Sequence, residues 1–292
     1  MQMHARVSVR ARMWLGVIVA AVLAAPAIGV TTIHAQQPPS LEEVRYNMAD
    51  ALGMLRTPQE VDMMMSVEIW ASGSMADVGE TVGPLAEIES YYAEIGYDFP
   101  GMRVDVTRGG ERDIQVVSGL FAWNEIDEPG GGLVPGHGSA VPVMDAVSDR
   151  LLQIWMTPAG AVKTAVGAGD QTEVSMEDGA VVVTYPLVNA EATLSTDLTV
   201  GELEGTSVKV TLDADYRPAT VEVQHRGRQV VTTYSGYADL NDSDYQADIF
   251  LPANVLQTVD GQTVLDLTIE RTNTYNPYVI MPVPESVRAA AR

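Results

Sequence analysis

Beyond residue 35 the chain has two histidines, His137 and His225, and no cysteine. These two side chains set which acid–base, nucleophilic or metal chemistry is open to it. His225 follows Val221 and Val223 on the apolar side of an alternating stretch, where it can act as a base or as a ligand contact inside a cavity. The plainer reading is a hydrogen-bonded strand histidine at the rim, beside Arg226, Gly227 and Arg228. His137 sits in Pro-Gly-His-Gly and reads either as a catalytic loop residue or as a solvent-exposed one. Two isolated histidines cannot build a three-histidine zinc site, and without cysteine little else remains for zinc to use. No Gly-x-Ser-x-Gly elbow occurs, so a hydrolase would have to be built around His225 or His137. Carboxylate pairs such as Asp105 and Glu111 are uninformative in a chain with 39 acidic residues.

Asp239-Leu-Asn-Asp-Ser-Asp244 alternates oxygen-bearing side chains in the manner of half a calcium loop. It lacks the central glycine, and Phe250 falls where the closing glutamate belongs, so a capped acidic turn is the competing reading. Gly130-Gly131-Gly132 has neither a lysine nor a helix start behind it and is not a phosphate loop. Met54 and Met63-Met64-Met65 supply flexible thioethers, which suit an adaptable apolar binding surface and an ordinary core equally. The residues give no catalytic set, no metal site and no cofactor, and the balance falls toward a binding module.

The compartment is read from the N-terminus. Arg6, Arg10 and Arg12 precede the uncharged run Trp14–Val30, and Ile33-His34-Ala35 closes the segment. A basic head, an apolar middle and a small terminal residue describe a secretory signal peptide over residues 1–35, cleaved before Gln36. Retained instead, the run would anchor the protein in a membrane, although 17 residues with Pro26 among them are short for a span. The expected location is periplasmic or extracellular. The whole chain carries a net charge of −22, and three of its 17 basic residues lie in the leader, so the remainder stands at about −25. That field repels phosphate backbones and argues against nucleic acid, while suiting a basic partner protein of the envelope.

Residues 36–292 are long enough for one large β domain. Ser40-Leu-Glu-Glu43 is a capping box, predicting a helix over 41–55 with Val44, Met48, Leu52 and Leu55 on one stripe. Thr57-Pro-Gln-Glu60 predicts a short helical turn, and 84–95 a helix with Leu85, Ile88, Tyr92 and Ile95 on one face. A helical insert is predicted over about 143–166, renewed at Thr157-Pro158. The rest alternates as strands, among them Met102–Thr107, Val208–Leu212 and Thr263–Thr272, with hairpin turns at Asp178-Gly179 and Asp260-Gly261. Ser74–Gly83 and Asp127–Pro142 read as long loops. About ten strands with short connections predict an α+β fold: a mainly antiparallel curved sheet, an incomplete β-barrel, with a few covering helices.

Two passages resemble the outer-membrane lipoprotein carrier and sorting superfamily, the LolA/LolB-like fold. Gly101-Met-Arg-Val-Asp-Val106 followed by Val116-Val-Ser-Gly-Leu-Phe-Ala-Trp-Asn-Glu125 is similar to its strand pair with a V-x-D-G-x-x-x-W turn, with Ser118 where aspartate is usual. Ala219–Val223, Tyr234-Ser-Gly-Tyr237 and Leu251-Pro252 through Leu265–Asn276 are similar to its closing strands. Together they span about half of residues 36–292. The resemblance implies an incomplete barrel whose concave apolar face holds acyl chains. The arginine that controls the lid in true lipoprotein carriers has no counterpart here, since Asp98-Phe-Pro-Gly101 occupies that region. What remains implied is a non-enzymatic carrier or sensor for a lipid or other apolar ligand. Val104, Val106, Trp123, Val210, Val221, Val223, His225 and Leu267 are its candidate cavity wall. The rival is a structural or protein-interaction module of the envelope with a filled core.

Overall fold

The computed structural model describes residues 38–57, 60–61, 64–79, 81–193, 196–245, 247–276 and 279–291. The leader, Met63 and the Pro58-Gln59 part of the predicted turn lie outside them. Helix α1 (Leu41–Ala51) begins at its capping signal, the Ser40 hydroxyl accepting from the Glu43 N–H at 3.2 Å. The strands that follow are β1 (Leu55–Thr57), β2 (Glu60–Val61), β3 (Ser66–Met75), β4 (Ala86–Gly96), β5 (Gly101–Arg108), β6 (Glu111–Ser118), β7 (Phe121–Ile126) and β8 (Ser139–Pro142). The helices α2 (Val147–Met156) and α3 (Pro158–Gly167) interrupt them. Then come β9 (Glu173–Glu177), β10 (Ala180–Pro186), β11 (Ala190–Thr193), β12 (Thr196–Leu198), β13 (Ser207–Leu212), β14 (Pro218–His225), β15 (Arg228–Ala238), β16 (Leu251–Val259), β17 (Gln262–Asn273) and α4 (Glu285–Ala290).

Thirteen strands form one antiparallel sheet in the order β8-β7-β6-β5-β4-β3-β17-β16-β15-β14-β13-β10-β9. β8 and β9 end it on either side, so the sheet is open rather than a closed barrel. It curls strongly. Arg108 at the end of β5 pairs with Asp77 at 2.6 Å, while Arg228 on β15, five places away, donates to the Gly79 carbonyl at 3.0 Å. One short loop reaches both only because the sheet bends its ends toward each other. The predicted hairpins stand: Asp178 and Gly179 have φ of 49° and 87°, Asp260 and Gly261 of 50° and 77°, the paired positive values of a type I′ turn.

The sequence reading fails at 84–95, which is strand β4 and not a helix. β4 pairs Ala71 with Tyr91 but Gly73 with Ile88, so it carries an extra residue. The bulge makes Ile88, Tyr91, Ala93 and Ile95 face the same side. A strand that slips phase by one has apolar spacings of three and two, which mimic a helical stripe. The residues flanking Pro58-Gln59 are likewise extended, β1 against β2, rather than a helical turn. The predicted loop 127–142 ends in the edge strand β8.

Register assigns the two faces. Val104, Ala93 and Ile69 lie opposite one another across β5, β4 and β3, and Arg103, Glu94 and Glu68 share the other side. The first set is the inner face, onto which α1, α2 and α3 pack. Close approach of β3 and β17 requires glycine at 73. Its φ is 146°, and a Cβ there would stand 1.9 Å from the Asp266 carbonyl oxygen.

Candidate functional site

Of the eight predicted wall residues, seven share the inner face: Val104 and Val106 on β5, Val210 on β13, Val221, Val223 and His225 on β14, and Leu267 on β17. Trp123 does not join them. It lies opposite Val116, which lies opposite Arg103, and so belongs to the outer face. There it is buried with Ile114 under Val279, Met281 and Val287 of the C-terminal segment. The strand alternation of β7 does not reveal this, because Ala122 and Trp123 are both buried, on opposite sides of one strand.

The inner apolar layer is continuous along the sheet. Val210, Val221 and Val223 belong to a core cluster with Met102, Val117 and the helices. Val106 and Leu267 belong to a second cluster with Ala71, Ile88 and Ile269. Ile69, Val255 and Leu265 pack against both. The Met residues sit in the first cluster: Met54 and Met64 are fully buried there, with Met48 of α1 and Met156 of α2. The layer is covered by α2 and α3, whose Leu151, Ile154, Trp155 and Val162 are inaccessible to solvent or nearly so.

Helix α2 crosses this face as a strut, and polar side chains that the sequence did not single out hold it. Arg150 donates to the carbonyls of Val116 at 2.8 Å and Trp123 at 2.6 Å, and to the Asn124 side chain at 2.5 Å. Its guanidinium is buried, and desolvation lowers its pKa from 12.5 to about 10 in spite of Asp113 and Asp149 nearby. On the other arm, Asp149 accepts from Arg226 at 3.0 Å and is 2.6 Å from His225 Nε2. Gln257 donates to Gln153 at 3.0 Å and to Thr232 at 2.9 Å. Aromatic tips complete the stitching: Tyr234 donates to the Met156 carbonyl at 2.7 Å, and Trp155 to that of Thr199 at 3.1 Å. The Tyr97 hydroxyl and Thr157 Oγ1 are 2.9 Å apart. Burial pushes the pKa of Tyr97, Tyr185 and Tyr234 well up, and that of Tyr91 up to about 12.

His225 is thus a clamp on the N-terminal turn of α2, and no Ser or Thr hydroxyl bonds to it among the described residues. His137 is exposed on its loop, with Nδ1 3.4 Å from Glu128. In the acidic run, Asp239 uses both carboxylate oxygens on local donors: Oδ1 takes Asn241, and Oδ2 takes the N–H groups of Ala247 and Asp248 at 2.9 and 3.0 Å. That is the geometry of a capped turn. No helix among the described residues is long and apolar enough to cross a membrane.

No family model matches the chain, and no curated protein matches it. Among solved structures it is similar to the lipoprotein LppX of Mycobacterium tuberculosis, at 14% identity over 64% of this chain and 88% of that one, with a TM-score of 0.24.

Proposed function

We propose that the protein is a non-enzymatic binder of a lipid or other apolar molecule, taken up on the inner face of the half-barrel. The observation that carries this is the continuous apolar layer of an open thirteen-stranded sheet, covered not by a second sheet but by short, separate helices. Displacing those helices would expose enough surface for an acyl chain, each buried methylene contributing about 0.8 kcal/mol. Both histidines have local structural partners, which supports the non-enzymatic reading. Location outside the cytoplasm rests on the leader read from the sequence. A second reading, a filled-core interaction module of the envelope, is favoured by the dense stitching of α2 to both arms.

Native mass spectrometry of the protein purified from its membrane fraction separates the two. A lipid-sized mass that is lost on delipidation and regained with added lipid supports the binder. A clean unliganded mass in every preparation, with no uptake of added phospholipid, overturns it in favour of the filled core.

A further inference from the structure

A cleft of about 300 Å³ opens on the outer face, where Trp70 and Arg271 face away from the inner apolar layer. A bulge builds it. β17 pairs Ile269 with Ala71 but Arg271 with Trp70, so Glu270 is an extra residue and Arg271 emerges on the outer side instead of returning to the inner one. The guanidinium lies 3.8 Å from the centroid of the Trp70 ring. Trp70 in turn packs on Tyr92 with ring centroids 5.0 Å apart. The Tyr92 hydroxyl bonds to Glu68 at 2.6 Å and to Glu94 at 3.0 Å, and Arg103 ties Glu94 to the buried Glu125. Arg271 is therefore held flat on a platform that a hydrogen-bonded network fixes from behind.

In this acidic chain the comparable surface arginines have carboxylates: Arg108 has Asp77, Arg112 has Asp105, Arg226 has Asp149 and Arg228 has Asp260. Among the described residues Arg271 has none, and its N–H fork stays available. Other unfilled capacity lines the same cleft. Asn273 spends one amide hydrogen on Glu68 at 2.5 Å and keeps the other, and Asp242 accepts from Asp244 through one oxygen only. Tyr275, half exposed, adds a ring at the edge.

We propose that this cleft binds a sugar acid, a saccharide unit carrying a carboxylate. The planar fork of Arg271 takes the carboxylate bidentately, a geometry that lysine cannot reproduce. Asn273 and Asp242 take hydroxyl groups as donor and acceptor, and the Tyr275 ring covers the apolar face of the sugar. The site is on the opposite face from the proposed lipid surface and stands or falls separately.

Isothermal titration of the purified protein with glucuronate tests it, beside methyl glucoside and acetate and with the variants Arg271→Gln, Arg271→Lys and Trp70→Phe. Saturable glucuronate binding is expected, about tenfold or more weaker in Arg271→Gln and intermediate in Arg271→Lys, with unchanged melting temperatures. Trp70→Phe keeps an aromatic platform and controls for loss of the fold. No heat with millimolar glucuronate overturns the proposal, as does equal binding by wild type and Arg271→Gln. Acetate binding as tightly as glucuronate reduces the cleft to a bare anion site and also overturns it.

Discussion

Replacing Arg150 by Met removes three donors at once, those to Val116 O, Trp123 O and Asn124 Oδ1, and leaves two strand carbonyls without them. Hydrogen bonds from a charged donor contribute roughly 1.5–3 kcal/mol each. Against that stands the cost of burying the cation: a pKa lowered from 12.5 to about 10 corresponds to about 3 kcal/mol. The three bonds less that cost leave a destabilisation of about 2–6 kcal/mol, a range that includes the usual loss on breaking a buried charged contact. For a domain of this size that lowers the melting temperature by roughly 4–24 °C. The neighbouring Asp149→Asn weakens one of the ties to the other arm, where Asp149 and Arg226 are each about half exposed, 48% and 51%. Screening there limits the loss to about 1 kcal/mol. Urea unfolding followed by tryptophan fluorescence measures both. The midpoint should fall steeply in Arg150→Met and slightly in Asp149→Asn, with the same slope. If Arg150→Met unfolds like wild type, or Asp149→Asn costs as much, the helix is not anchored asymmetrically and the strut argument fails.

Gly73→Ala should cost several kcal/mol, because its new methyl would meet the Asp266 carbonyl of the neighbouring strand at 1.9 Å; a melting temperature within a degree of wild type would contradict the register of β3 and β17. The buried tyrosines set an alkaline limit. Their pKa values are raised in the folded state, so the stability they contribute is complete below the ordinary value of 10 and is lost as pH rises through the folded values. Absorbance at 295 nm should show tyrosinate from Tyr97, Tyr185 and Tyr234 only with unfolding. Protein recovered from outside the cytoplasm should begin at Gln36; an intact mass that includes Met1–Ala35 would make it a tethered receptor instead.

Local signals carried much of the architecture. The capping box at Ser40, the Thr157-Pro158 start of α3 and the two Asp-Gly turns depend on contacts within a few residues, and each forms where those residues say. The alternation of Val208, Val210 and Leu212, or of Val221 and Val223, places an inner face because a regular strand has period two. Alternation stops marking a face wherever a strand changes phase. The bulge in β4 disguised a strand as a helix, and the bulge at Glu270 moved Arg271 to the outside.

By itself, then, the amino-acid order determines an open antiparallel α+β sheet, a chain poor in reactive groups and strongly acidic, and the apolar stripe that such a sheet must cover. Only the tertiary structure decided that Trp123 faces away from that stripe, that His225 clamps a helix, that Arg150 joins α2 to two distant carbonyls, and that Trp70 and Arg271 make a cleft on the far side. The physical reason is sequence separation. Turns and caps are closed by neighbours along the chain, whereas which side chains share a face across thirteen strands depends on register and bulges set by partners as far apart as Trp70 and Arg271.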